Sequence, residues 1–121
     1  MTRFDVMMGK NTEVEKKNKL RLILEEDDPV LKSIEQGMKD NNLKEGVVID
    51  ATGFIKDAII SENGEKLSFD EVEILKAKGK FKFGGDDLWG NLEVFTGGKK
   101  PTKGQLLRAN AKEDFEIVIE Y

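Results

Sequence analysis

Apolar and polar positions alternate along most of this chain, and a single stretch switches to helical spacing. Phe4, Val6 and Met8 alternate with Arg3, Asp5 and Met7, which predicts a first strand; the mixed-charge run from Gly9 to Asn18 reads as a connection. Leu20, Leu22 and Leu24 then alternate with Arg21, Ile23 and Glu25, the period of a strand with one side more buried. Helix punctuation follows. Asp28 is placed to cap, and Pro29 suits a first turn, where a missing N–H costs nothing. Val30, Leu31, Ile34 and Met38 fall on one face. Asn41 and Asn42 suit the exit, and Gly46 the turn into the next strand. Gly37 inside the helix costs about 1 kcal/mol against alanine, so its presence predicts close packing against a sheet.

The segment from Glu45 to Ile60, EGVVIDATGFIKDAII, predicts a buried strand, a break centred on Gly53, and a second strand. Val47, Val48 and Ile49 form an unbroken apolar run, which suits a strand covered on both faces. Gly53 sits where a bulge or a close backbone approach would want no side chain. Asn63-Gly64 is a hairpin signal. Val72, Ile74 and Leu75 begin another strand, which Phe81 and Phe83 continue or follow. Gly84, Gly85, Asp86 and Asp87 make a turn, Leu88 to Phe95 is strand-like, and Thr96 to Lys103 reads as a loop. Gly104 to Ala111 suits a short helix or a strand. Phe115, Ile117, Ile119 and Tyr121 alternate with Glu116, Val118 and Glu120 in a final strand. One helix among many short strands predicts an α+β fold: a mainly antiparallel sheet with one principal packed helix. No repeat or linker divides residues 1–121, which read as one domain with residues 1–19 as N-terminal strand and connection.

Composition narrows the function. The net charge of −4 argues against nonspecific nucleic-acid binding by bulk charge and leaves room only for a local basic face. No apolar run is long enough to span a bilayer, and the first residues lack the basic, apolar and small-residue sections of a signal peptide, so a cytoplasmic protein with no membrane partner is expected. With no cysteine there are no disulfides and no thiolate chemistry. With no histidine, a Ser-His triad and an imidazole zinc site are excluded. The glycines form neither a phosphate-cradling loop nor a dinucleotide fingerprint. Nothing points to an enzyme or a cofactor.

Four ordered segments carry a resemblance to the PPC domain, the plants and prokaryotes conserved family. LRLILEEDDPVLKSIEQGMKDNNLKEGVVI resembles the family's opening strand, acidic turn, helix and buried strand. GFIKDAII resembles its glycine-led G-S-L-S-D-A-T-L strand, and EVEILKAKGKF its E-I-L-S-L-S-G-N-F segment. LWGNLEV and KGQLLRA resemble its later H-L-H-x-x-L and G-G-H-L segments, so the match runs from about Leu20 to Tyr121. The resemblance implies a compact sheet with a packed helix, assembled as a homotrimer, and association with DNA in transcriptional regulation. In land plants the domain accompanies a basic AT-hook, and no R-G-R-P segment occurs here. The histidines that suggest a metal site in many prokaryotic relatives correspond to Asp87, Trp89 and Gln105, so no metal is expected. The plant partner-recruiting hexapeptide G-R-F-E-I-L survives only as Glu73, Ile74 and Leu75.

The sharpest local feature is LKAKGKFKF. Lys76, Lys78, Lys80 and Lys82 recur at every second position, so a continuous strand sets all four ammonium groups on one face, with Ala77, Phe81 and Phe83 on the other. Such a stripe can follow phosphates or hold an anionic ligand. Equally, it can be a solvated face whose lysines discourage edge pairing and meet Glu116 or Glu120 across the sheet. Lys99, Lys100, Lys103 and Arg108 are candidates to extend it. Trp89 is the only tryptophan; it can stack on a ligand or base, or pack in a subunit interface. Asp86 and Asp87 could meet a hard cation or simply be solvated. Asp50 and Asp57, near the Gly53 break, could form an acid–base pair or be turn and surface residues.

The sequence thus predicts a non-catalytic PPC-like module. Its leading function is DNA-associated regulation through Lys76, Lys78, Lys80 and Lys82. The alternatives are a homotrimeric binder of a small anionic ligand at a subunit interface, with Trp89, Asp87 and Gln105 as interface or pocket residues, or a protein-only scaffold.

Overall fold

A computed structural model of the chain describes residues 18–121; the strand expected at Phe4 to Met8 lies outside them. The fold is organised by one long hairpin. β1 (Lys19–Leu24) and the helix α1 (Val30–Asp40) precede it. Its arms are β2 (Glu45–Glu62), of 18 residues, and β3 (Glu65–Gly84), of 20. Asn63 and Gly64 turn between them with φ of 52° and 84°, the two positive values that match a tight turn to strand twist. β4 (Asp87–Gly90), β5 (Glu93–Thr96), β6 (Lys103–Ala111) and β7 (Phe115–Glu120) complete the chain.

Both flanks of the hairpin are lined by strand pairs laid end to end. Along β2, Gln105 lies opposite Ser61 and Ala111 opposite Ile55; β7 then continues the line, with Glu116 opposite Thr52 and Glu120 opposite Val47. Along β3, Asp87 lies opposite Gly84 and Gly90 opposite Phe81; β5 continues from Glu93 opposite Lys78. The seven strands are ordered β1-β7-β2-β6-β5-β3-β4, and because β2 also pairs with β3, the circuit β2–β6–β5–β3 closes on itself. Closure removes the free edges there. All the strand pairings are antiparallel.

The α+β class expected from the sequence is corrected by these proportions. Strand takes 65% of the described residues and helix 11%, so the fold is sheet-dominated with one short helix. The reason is strand length: segments that read as several short strands fuse into two long ones. Gly53 does not break β2. It adopts φ 133° within the strand, at the point where the flanking partner changes from β7 to β6. Leu88 to Phe95 is the reverse case, because it divides at Asn91 and Leu92 into β4 and β5. Gly104 to Ala111 is strand throughout. Val47 to Ile49 is not covered on both faces, since Val48 is buried while Ile49 is 37% exposed.

Helix α1 starts from Pro29 as its cap, without a side-chain capping bond. Asp28 does not cap it; its carboxylate accepts the Glu25 N–H at 2.9 Å and so closes the turn before the helix. Reciprocal backbone bonds from Asp27 N–H to the Ala111 carbonyl and from Ala111 N–H to the Asp28 carbonyl tie this turn to the end of β6. Val30, Ile34 and Met38 are fully buried in one cluster with Val48, Ile55, Ile60, Ile74, Phe115, Ile117 and Ile119. Gly37 meets the sheet as its identity predicts: a β-carbon there would stand 2.8 Å from both δ-carbons of Leu22.

Candidate functional site

The lysine face begins with the unbroken run of β3. Ile74 and Ala77 are both buried, an odd spacing that a register shift between Ile74 and Lys76 accommodates. Beyond it the alternation is regular. Ala77 and Phe81 point into the core, Phe83 is half-buried, and Lys76, Lys78, Lys80 and Lys82 are all exposed.

Strand register carries this face sideways. Lys78 lies opposite Glu93 of β5, Glu93 opposite Gln105 of β6, and Gln105 opposite Ser61 of β2. In the next row Lys76 lies opposite Phe95, and Phe95 opposite Lys103. Lys76 and Lys103 hold their ammonium groups 5.6 and 5.5 Å from the Phe95 ring centroid, within reach of its negative face. Glu93 stands between two cations, with Lys78 Nζ 3.6 Å from Oε1 and Lys103 Nζ 4.0 Å from Oε2. Both separations exceed hydrogen-bond length, and the lysines are exposed while Glu93 is half-buried, so Glu93 is a shared and loosely held counter-ion. Among the described residues, Lys80 and Lys82 have no ion-pair partner. The pairing expected with Glu116 or Glu120 does not form: Glu116 instead holds Arg21 at 2.7 Å.

Two clefts open on this face and share Val47 and Lys80. The larger, of about 780 Å³, lies between the β2–β3 turn and strands β3, β5 and β6, and holds Lys78, Lys80, Lys103, Glu93, Asn91 and Gln105. Gln105 Nε2 donates to Asn91 Oδ1 at 2.8 Å. The second, of about 530 Å³, holds Lys80, Lys82, Trp89, Glu120 and Tyr121. Trp89 is 67% exposed on the edge strand β4, opposite Lys82, with its indole nitrogen 2.9 Å from where a β-carbon on Gly84 would be.

The residues singled out in the sequence therefore separate. Lys78, Lys80 and Gln105 come together in the larger cleft, and Lys80, Lys82 and Trp89 in the smaller. Lys76 and Asp87 line neither, and among the described residues Asp87 belongs to no group of three potential ligands. Lys103 extends the lysine face, whereas Lys99 and Lys100 lie beside Phe54 and Phe69 on another part of the surface. Asp50 and Asp57 are seven positions apart on one strand, about 23 Å at the usual rise, too far to act as a pair. Glu93, Phe95 and Asn91 were not legible as site residues. The alternation in EVF sets Glu93 and Phe95 on one face, but only cross-strand register shows which lysines these two meet.

The Plants and Prokaryotes Conserved (PCC) domain family matches residues 11–120 of the chain. No curated protein matches it. Among solved structures it is similar to a protein of Bacteroides thetaiotaomicron, with TM-score 0.74, 18% identity, and coverage of 88% of this chain and 80% of that one. It is also similar to one of Ralstonia eutropha JMP134, with TM-score 0.71, 19% identity, and coverage of 84% and 76%. Both of those are described as "putative DNA-binding" proteins. A plant- and prokaryote-conserved (PPC) protein of Pyrococcus horikoshii matches with TM-score 0.70 at 14% identity, covering 94% of this chain and 83% of its own. At these identities the likeness is one of fold.

Proposed function

The chain belongs to the Plants and Prokaryotes Conserved (PCC) domain family, and from that premise we propose a non-catalytic, DNA-associated regulatory module that works in the cytoplasm as a homotrimer. The observation that carries the DNA reading is the exposed row Lys76, Lys78, Lys80 and Lys82, widened by Lys103 on β6. Successive lysines in the row are about 6.6 Å apart and the four span about 20 Å, enough to follow several phosphates. Because the protein as a whole is acidic at −4, contact depends on this one face and is steeply weakened by salt. The descriptions of the Bacteroides and Ralstonia neighbours support the same reading. Exposed Trp89 and Tyr121, together with Ile49, supply the apolar and aromatic surface that a subunit interface would cover.

The larger cleft favours a second reading, a trimer that holds a small anionic ligand, since Lys78, Lys80 and Lys103 all line it. A protein-only scaffold would pair its lysines tightly with acids, and the loose Glu93 contacts do not support that. Fluorescence anisotropy of a labelled AT-rich duplex tests the leading reading. Saturable binding that disappears in Lys78→Glu/Lys80→Glu is expected, and an unaltered isotherm in that variant would sink it.

A further inference from the structure

We propose that the larger cleft binds a phosphate monoester that also carries hydroxyl groups, of sugar-phosphate or nucleotide size, and that Glu93 is the intramolecular occupant this ligand displaces. The inference deepens the small-ligand reading and does not depend on DNA binding. Size is the first argument. About 780 Å³ is within the range of small-ligand sites and far exceeds what one bare ion needs.

Chemistry is the second argument. Three lysines, Lys78, Lys80 and Lys103, line the cleft from β3 and β6, and Glu93 lies between the ammonium groups of Lys78 and Lys103. A phosphate dianion supplies the charge and the acceptor oxygens that these donors lack in Glu93, whose carboxylate stays 3.6 and 4.0 Å away. Between the lysines the cleft is lined by the backbone of Gly79 and Gly104. Both glycines are fixed there by crowding on their other side: a β-carbon on Gly79 would collide with the Asn91 carbonyl, and one on Gly104 with the Ser61 carbonyl.

The amide pair supplies the third. Gln105 Nε2 gives one of its two N–H groups to Asn91 Oδ1 at 2.8 Å, so this pair in the cleft lining keeps amide N–H donors and the Gln105 carbonyl oxygen as an acceptor. One donates to an oxygen and the other accepts from a hydroxyl. Glu62, also in the lining, adds another acceptor. A cleft that sets cations beside amide and carboxylate acceptors fits a ligand that is both anionic and hydroxylated.

Glu93→Gln releases both lysines and removes a like charge beside the ligand, and should tighten binding about tenfold. Lys78→Ala/Lys103→Ala should abolish it. The test is nitrogen-15 NMR of the full chain titrated with ribose 5-phosphate, with ribose and sodium chloride as controls. Asn91 and Gln105 side-chain amides serve as reporters inside the cleft. Saturable shifts of these two signals, absent with ribose and with chloride, stronger in Glu93→Gln and lost in the double alanine variant, are the expected result. Shifts centred elsewhere, shifts equal to those with chloride, or no gain in Glu93→Gln would overturn the proposal. Duplex anisotropy on the same variants separates the two accounts: ester binding without duplex binding sinks only the DNA reading, and duplex binding without amide shifts sinks only this one.

Discussion

Gly53 and Phe115 occupy one space. A β-carbon on Gly53 would stand 3.0 Å from Phe115 Cδ1 and 3.2 Å from Phe115 Cα, and Phe115 is itself buried at the start of β7. Gly53 also holds φ 133°, a region that L side chains rarely adopt. The line of strands beside β2 is interrupted here, between Ala111 and Glu116, so the bare glycine lets β6 hand over to β7 without lifting Phe115 from the core. Gly53→Ala should cost about 2–3 kcal/mol, read as a lower urea midpoint with an unchanged slope.

Two further glycines should rank by what surrounds them. At Gly79 an added β-carbon meets the Asn91 backbone, which can yield only if β3 separates from the β4–β5 line. At Gly64 nothing lies within 4 Å, and only φ 84° opposes a side chain. Gly79→Ala should therefore lose more than about 2 kcal/mol and Gly64→Ala only about 1 kcal/mol. Equal losses in thermal unfolding would contradict the steric account.

Much of this frame was legible, and the misses share a cause. The hairpin at Asn63-Gly64, the buried helix face of Val30, Ile34 and Met38, and the close approach at Gly37 all follow from local chemistry. The continuity of β2 through Gly53 did not, because a glycine in an alternating run reads alike as a break and as a close approach. The lysine row was visible as a period of two. Its counter-ion was not, since Glu93 meets Lys78 and Lys103 only through the pairing of β5 with both neighbours. Asp28 shows the limit of a single motif: its carboxylate was claimed by the Glu25 N–H, leaving Pro29 as the cap.

Trp89 should matter to assembly and not to the subunit. Its side chain is 67% exposed and lies on an edge strand of four residues. Trp89→Ala should change subunit stability by less than about 1 kcal/mol and shift the proposed trimer toward monomer in sedimentation analysis. A variant that loses stability and keeps its oligomeric state would place the indole in the fold alone.

Lys56 joins β2 to the turn before α1 through Asp27 at 2.6 Å and Glu26 at 3.2 Å. The hydrogen bond to Asp27, then that to Glu26, raises its pKa above the ordinary 10.5. A raised lysine pKa means the folded state holds the proton more tightly, so this contribution is complete below the ordinary value and is lost as pH climbs through the raised one. The stability gap between wild type and Lys56→Met should accordingly be constant through neutral pH and close in strongly alkaline buffer.

Lys80 and Lys82, without ion partners among the described residues, should contribute more to duplex affinity than Lys76, which leans on Phe95, or Lys78, which shares Glu93. Reversing Lys80 should weaken binding more than reversing Lys78.

The most direct test of a DNA-contacting lysine face is the salt dependence of duplex affinity. Four engaged phosphates predict a slope of about −4 in a plot of log affinity against log salt concentration, reduced by about one for each lysine removed from the row. A slope near zero, or one that stays unchanged when Lys80 and Lys82 are replaced by alanine, would contradict the account.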